Sequence, residues 1–329
     1  MIMNYFGHNL PSFSHIKNRV NEYINLLPKE ENISKAWLTF DYVRSLLLYG
    51  CGAMDYFLYG YYDLNSHGKK KFLTIKQRVL YDYKNNTEKG VDTVLNKEKA
   101  LVHFAPFINR EWCGQQYRNS EKEYELFELN HDEAIVKPIG AMGGSDVHIV
   151  NIPALRKEGI TLYQYCKKNH MLVEEIIQQH KKMNLMYAGC INTIRVVTVE
   201  GNCIGACLRI GTGGSEIDNA HAGGIFAEVD KETGIVISLA MNYKLKRFIK
   251  HPDTKTIIPG FEIPEWDKVI MLVKKASKLI PDVSLIGWDI AISTDGPTIV
   301  EVNHMPGMEL IQAPNRHGVR YWMNNKAKE

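Results

Sequence analysis

The chain has 329 residues, of which 45% are hydrophobic and 23% charged, and its formal net charge is +3. At about 150 residues per domain, these values fit a folded globular protein of two domains or one large one, and they exclude a disordered chain. So small a charge excess gives no broad basic field for nucleic acid.

No membrane span is expected: the most apolar stretch, Ser45 to Tyr62, is interrupted by Asp55 and three glycines, short of the roughly 18 uninterrupted apolar residues required. The N-terminus has no basic region followed by an apolar core, so it does not read as a secretory signal. The six cysteines (Cys51, Cys113, Cys166, Cys190, Cys203, Cys207) form no CxxC and are too sparse for a disulfide framework. Cys203 and Cys207, four residues apart in an apparent strand, are expected to share one buried face. A reduced, cytoplasmic protein is the resulting expectation.

In chain order, residues 1 to about 90 read as mostly helical. Lys35 to Tyr49 places apolar residues at helical spacing, and Ile75, Val79, Leu80 and Tyr83 form a second, shorter pattern. From Glu133 onward short β-rich runs take over: 133–137, 146–150, 171–176, 193–199, 203–210, 224–229 and 234–240. One helix is expected over Pro264 to Leu279, with Pro264 near its start and Pro281 beyond its end. Strands 285–292 and 297–303 close the series. Strands outnumber helices and hairpin-like connections dominate, which predicts an α+β fold with antiparallel sheets.

The last two strands flank Thr294-Asp295-Gly296, read as a three-residue hairpin loop with Gly296 at its positive-φ position. With Ser293 opposite Pro297, Asp289 falls opposite Glu301. Side-chain alternation then puts Glu301 and Asn303 on one face and Val300 and Val302 on the other. Two carboxylates and an amide oxygen converging on one face are hard ligands suited to Mg²⁺. An ordinary solvated sheet face is the competing reading, and Glu301 inside a Val-rich run weighs against it.

The run 134–150 reads as strand, glycine-rich turn, strand. Lys137 supplies a point charge, Gly140, Gly143 and Gly144 allow close approach of backbone N–H groups to an anion, and Ser145 adds a hydroxyl. Neither a Walker A pattern nor a Rossmann fingerprint is present. In 171–177, Glu174, Glu175, Ile176 and Ile177 could form a hinge strand that reads an adenine amino group, or simply a strand end with a solvated acid. Arg195, within a β-branched strand, calls for an anionic partner, either phosphate or a structural carboxylate. Asn219, His221 and Gly223-Gly224 follow. The run 243–251, with Lys244, Lys246, Arg247 and Lys250, is either a solvated face or a patch that steers an acidic substrate.

The ordered set VKPIGAMGGSDV, LVEEII, INTIRVVTV, EIDNAHAGGI and GWDIAI…TIVEVN resembles the ATP-grasp superfamily, and within it the sugar-transfer-associated, glutamate-ligase-like branch. The similarity runs from about residue 40 to 312. It implies two lobes clasping ATP between antiparallel sheets: a helical region (1–90), a smaller lobe (91–174) and a larger lobe with the metal site (175–329). It implies that Lys137, Gly143, Gly144 and Ser145 serve phosphate, that Glu174 to Ile177 serve adenine, and that Asp289, Glu301 and Asn303 hold Mg²⁺, with Mn²⁺ as an alternative. The family's earlier lysine is matched by Lys97, with Lys99 two residues away as its rival, and its ribose acid has no clear counterpart. Arg195 and Asn219 are implied catalytic residues, Asn219 with Gly223-Gly224 matching an Asn-x-x-x-Gly-Gly stretch that serves phosphate or the acyl phosphate, while His221 is either a third catalytic residue or a packed or surface histidine.

The implied activity is ATP-dependent joining of a carboxylate to an amine through an acyl phosphate. The substrates would be a small-molecule or glycan-linked acid, such as a surface-polysaccharide precursor, and an amine. The alternatives are a kinase-like phosphotransferase with the same nucleotide site and a non-catalytic ATP-binding protein.

Overall fold

Eleven strands among the described residues assemble into two sheets, and every pairing between them is antiparallel. The computed structural model describes residues 13–27, 33–139, 147–215, 218–220 and 223–325. With helices on both sheets, the fold is α+β, as the sequence pattern predicts.

The smaller sheet has the order β1-β4-β2-β3, from β1 (Trp112–Cys113), β2 (Glu133–Pro138), β3 (His148–Asn151) and β4 (Met171–Glu174). Alternation along β2 sorts its residues. Ala134 and Val136 are buried with Tyr124, Phe127 and Cys166 of two backing helices, Glu121–Asn130 and Leu162–Asn169. Ile135 and Lys137 face the opposite way, into a cavity. Both helices begin with a capping box, Ser120 with Glu123 and Thr161 with Gln164. Each satisfies N-terminal N–H groups that the helix itself leaves unbonded.

The larger sheet has the order β11-β10-β5-β6-β7-β8-β9. Its strands are β5 (Ile194–Val199), β6 (Asn202–Ile210), β7 (Ile225–Val229), β8 (Ala240–Met241), β9 (Arg247–Phe248), β10 (Leu285–Ser293) and β11 (Gly296–His304). One face packs Ile194, Val196, Leu208, Ile286, Trp288 and Ile290 against the helix Trp266–Ser277. That core also takes in Val94 and Phe104, so the segment expected to open the smaller lobe packs on the larger sheet. The opposite face places Val197, Val199, Cys207 and Leu285 beneath the N-terminal helices, in one continuous core with Tyr56, Phe57 and Leu58. Further along that face the residues become charged, and there the cavity opens.

The helix Lys35–Tyr49 forms over the residues that its spacing predicts, but its inner face is mixed, with Leu38, Tyr42 and Tyr49 buried beside polar side chains. Asp41 and Ser45 are buried, held by Lys69, whose Nζ lies 3.1 Å from Ser45 Oγ and also donates to Asp41. Tyr56 Oη donates to the same carboxylate at 3.0 Å. Trp37, Phe40, Leu47 and Leu48 face outward. A buried ion pair completed by hydrogen bonds can set orientation where apolar patterning alone would not.

Four local expectations need correction. The helix expected over Pro264 to Leu279 is Trp266–Ser277, because Glu265 adopts a left-handed conformation (φ 58°) and delays its start. Of the strand expected over 234–240, only Ala240 joins the ladder, while Ile235 and Val236 form isolated bridges to Glu262 and Val229. Cys203 and Cys207 lie on opposite faces. The register of β5 against β6 shifts between Val197 and Thr198, which pair with Gly205 and Cys203 and leave Ile204 as an extra residue. The final hairpin turns on two residues rather than three, with Ser293 opposite Gly296. All six cysteines are free, and among the described residues no helix is long and apolar enough to cross a membrane.

Candidate functional site

A cavity of about 660 Å³ lies between the two sheets. From the smaller sheet it is bordered by Ile135 and Lys137, and from the connection after β4 by Glu174 to Ile177. From the larger sheet come Arg195, Arg209, Asp289, Glu301 and Asn303, with Lys97 reaching in from the helix Lys97–His103. Its size suits a ligand of nucleotide dimensions.

On the larger-sheet side, Asp289 lies opposite both Arg195 on β5 and Glu301 on β11. Its carboxylate accepts from Arg195 Nε at 2.5 Å and Nη2 at 2.9 Å, and Arg209 Nη1 lies 3.0 Å away. Arg209 extends its other arm to Asp218, at 3.1 Å, while its Nε is buried without a partner. Asp218 in turn accepts from the Thr193 N–H at 2.7 Å. Burial alone would raise the pKa of Asp289, but the two guanidinium groups outweigh it and hold the carboxyl below its ordinary range.

Glu301 differs from Asp289. It has no hydrogen bond or ion pair among the described residues, and its side chain opens to the cavity. Desolvation by the walls of the cleft and the neighbouring Asp289 raise its pKa, against the pull of Arg195, Lys137 and Lys97. Asn303 Nδ2 lies 3.4 Å from Asp289 Oδ2, so the Asn303 oxygen is turned elsewhere.

The expected metal set therefore shares one face, but its members are unequally placed. Glu301 and the Asn303 oxygen are hard donors that fit a divalent cation. The Asp289 oxygens already receive three arginine N–H groups, so a cation could reach them only by sharing an oxygen with a guanidinium. Among the described residues no three His, Cys, Asp or Glu side chains gather as a metal cluster.

On the smaller-sheet side, Glu174 is buried between Lys137, 3.0 Å from its Oε1, and Arg110, which donates to its Oε2. Arg110 also donates through Nη1 to the Ile299 carbonyl at 2.6 Å, tying the hinge to β11. Burial would raise the Glu174 pKa, but Arg110 and Lys137 bring it down to about 2. Its carboxylate thus belongs to an ion-pair network, and the apolar Ile176 and Ile177 are what this segment offers the cavity. Glu175 also lines the cavity, while its Oε2 accepts from the Glu111 N–H at 2.9 Å.

Lys97 and Lys99 part company. Lys97 lines the cavity and donates to the Pro138 carbonyl at 2.7 Å; burial lowers its pKa, with Glu301 opposing. Lys99 pairs with Asp92 at 2.5 Å on the outer surface. Asn219 lines the cavity, and its carbonyl accepts from the Gly224 N–H at 3.1 Å. A Cβ on Gly224 would fall 2.6 Å from the Asp218 carbonyl, so only glycine fits this turn. Gly140, Gly143, Gly144, Ser145 and His221 lie outside the described residues. Of the run 243–251, only Tyr243 lines the cavity.

Two site residues escaped the sequence reading. Arg209 sits two residues after Cys207 in β6, and an arginine in an apolar strand is the signal that singled out Arg195. Arg110 lies in an irregular stretch 64 residues from Glu174, and no local pattern marks it.

Among solved structures, the chain is similar to the ATP-grasp ligase PsnB complexed with minimal precursor, at 13% identity and a TM-score of 0.45, covering 74% of this chain and 62% of that one. It thus spans under two thirds of the PsnB chain. It is also similar to D-alanine–D-alanine ligase from Bacillus anthracis complexed with ATP, at 13% identity and a TM-score of 0.40, covering 97% and 89% of the two chains. D-Cycloserine synthetase DcsG is similar at 13% identity and a TM-score of 0.39, covering 69% and 68%. No relative among curated proteins matches this sequence. The family described as sugar-transfer associated ATP-grasp matches residues 107–328, a span holding both sheets and the cleft between them apart from the lining residues of 94–104, and the chain belongs to that family.

Proposed function

We propose that this protein is an ATP-dependent carboxylate–amine ligase, which activates the carboxylate of a small molecule or of a surface-polysaccharide or other sugar-linked precursor as an acyl phosphate and passes it to an amine. One observation carries this reading: a single cleft brings Lys137 of one sheet together with Asp289, Glu301 and Asn303 of the other. Membership of the sugar-transfer associated ATP-grasp family supports this reading.

In this reading, adenine lies against Ile176, Ile177 and Ile135, and the phosphates extend toward Lys97 and Lys137. A cation held by Glu301 and Asn303, with Asp289 beside them, would offset phosphate charge and orient the terminal phosphoryl group. The chain's own contribution is mainly positioning and fixed charge. Arg195 and Arg209 keep positive charge at the floor of the cleft, where it faces the transferred phosphoryl and the substrate carboxylate. The carboxylate oxygen attacks the terminal phosphorus and ADP leaves. The amine nitrogen then attacks the acyl carbon, the C–O bond to phosphate breaks, and phosphate leaves with the electron pair. No covalent enzyme nucleophile is needed. The activity is placed in the cytoplasm, where ATP is supplied and free cysteines stay reduced.

The test is ATP hydrolysis screened against amino acids and uronic-acid sugar nucleotides, with the product identified by mass. Amide plus free phosphate is expected. A stable phosphoester would make the protein a phosphotransferase, and nucleotide binding with no turnover on any acid would make it a binding protein.

A further inference from the structure

Beyond Asn303 the cleft continues into a recess lined by Tyr243, His304, Gly307 and Glu309. Glu309 opens the short helix Glu309–Gln312 and is only 7% exposed. Its Oε1 accepts from Tyr243 Oη at 2.9 Å. Among the described residues its carboxylate has no ion pair and no second hydrogen bond. A buried carboxylate without a cation is costly to hold in place.

The surroundings deepen that deficit. Asp55, on the helix Ala53–Leu58, is also buried, and its carboxyl is pushed up to about 7 by burial and then by the charge of Glu309. Arg78 is the nearby base felt by Asp55, but its Nη1 donates to the Pro306 carbonyl and its buried Nε has no partner. At Gly307 a Cβ would fall 2.3 Å from Glu309 Oε1, so the backbone is stripped of a side chain where the carboxylate folds over it. Tyr243 lies close enough to Arg195 and Arg209 to feel their charge, which places the recess next to the proposed site of carboxylate activation.

We propose that Glu309, oriented by Tyr243, is the binding subsite for the ammonium group of the amine substrate, a primary amine such as an amino acid or an amino sugar. This assignment rests on the ligase reading and names the group that recognises its second substrate. A divalent cation suits the recess poorly, since one carboxylate and one phenol are too few hard donors. An ammonium needs one counter-charge and a few acceptors. Before attack the ammonium gives one proton to the free Glu309 oxygen, which exposes the nitrogen lone pair. The C–N bond then forms as the acyl C–O bond to phosphate breaks, the second N–H proton leaves with the departing phosphate, and Glu309 returns its proton to solvent.

The experiment is calorimetric titration of the full chain, with ADP and Mg²⁺ present, using glucosamine, alanine and ethanolamine as probes and their N-acetyl derivatives as controls. At least one primary amine should bind while its acetylated form does not. Glu309→Gln should weaken that binding at least tenfold and Tyr243→Phe should weaken it less, with thermal melts confirming that both variants fold. The assignment is overturned if no primary amine binds, if acetylated forms bind equally well, if Glu309→Gln binds as tightly as the wild type, or if rising Mg²⁺ displaces the amine. Failure of the ligase reading looks different: the amine binds through Glu309, yet no acid yields an amide.

Discussion

Arg195 holds Asp289 in a two-pronged grip, Nε to Oδ1 at 2.5 Å and Nη2 to Oδ2 at 2.9 Å, between the neighbouring strands β5 and β10. Arg209 adds a third donor from β6, at 3.0 Å. One anion thus ties three adjacent strands together at the floor of the cleft, and it is itself buried (2% exposed). Replacing it leaves two guanidinium groups without their counter-ion. Asp289→Ala should therefore lose about 3–5 kcal/mol of stability, with Asp289→Asn milder. Urea unfolding checks this, and a loss below about 1 kcal/mol would mean that the arginines find another partner.

Glu174 leads to a prediction about acid. Its carboxyl lies at about 2 in the folded protein, against an ordinary value of 4.5, because Arg110 and Lys137 overcome the effect of burial. A depressed folded value means that this stabilisation is complete above the unfolded value and is lost as pH falls from about 4.5 toward 2. Its size is on the order of 3 kcal/mol. Glu174→Gln should accordingly be less stable than the wild type at pH 7, and the gap should close on acidification. Denaturant midpoints measured from pH 7 to 3 test this, and parallel curves for the two proteins would refute it.

The pairing of Asp289 with Glu301 was legible in the sequence, but through two offsets that cancel. Counting from a three-residue loop puts Asp289 opposite Glu301. The loop has two residues, which alone would displace the pair by one, but a bulge between Asp289 and Ile290 leaves Val300 over and restores it. Alternation also separates Ile135 and Lys137 from Ala134 and Val136, a sorting visible in the sequence that went unread. Contacts made at long sequence distance were not legible. Nothing near Asp41 announces Lys69, 28 residues away, so the burial of Asp41 and Ser45 on that helix had no local sign. Arg110 is hidden for the same reason. The helices Glu121–Asn130 and Leu162–Asn169 were missed, although their capping boxes, Ser120–Glu123 and Thr161–Gln164, stand in the sequence.

Asp55 predicts the opposite pH trend to Glu174. Burial and the neighbouring Glu309 raise its carboxyl from 3.8 to about 7. An acid with a raised folded value binds its proton more tightly when folded, so stability falls as pH rises from about 4 through 7. Asp55→Asn removes the charge while keeping an oxygen for the hydrogen bonds from Tyr59 and the Ile75 N–H. The variant should be more stable than the wild type at pH 8, by on the order of 2–4 kcal/mol, and should lose that advantage near pH 4. Thermal melts across this range decide the matter, and an equal or lower midpoint for the variant at pH 8 would show that the carboxylate is better compensated than its surroundings suggest.

Lys97 and Lys99 give the sharpest test of the nucleotide site, because the sequence offered both for one role. Lys97 lines the cavity beside Glu301 and Lys137, and burial lowers its pKa, so a polyphosphate arriving there would offset the desolvation that disfavours its charged form. Lys99 faces solvent with Asp92 and does not reach the cleft. Lys97→Ala should weaken ATP binding by about tenfold or more, the range for one lost charge-assisted contact to phosphate. Lys99→Ala should leave it unchanged. Titration of each variant with a fluorescent ATP analogue in the presence of Mg²⁺ provides the measurement. If Lys99→Ala proved the weaker binder, the helix Lys97–His103 would have to present its other face to the nucleotide, and the assignment of the phosphate end of the cleft would fall with it.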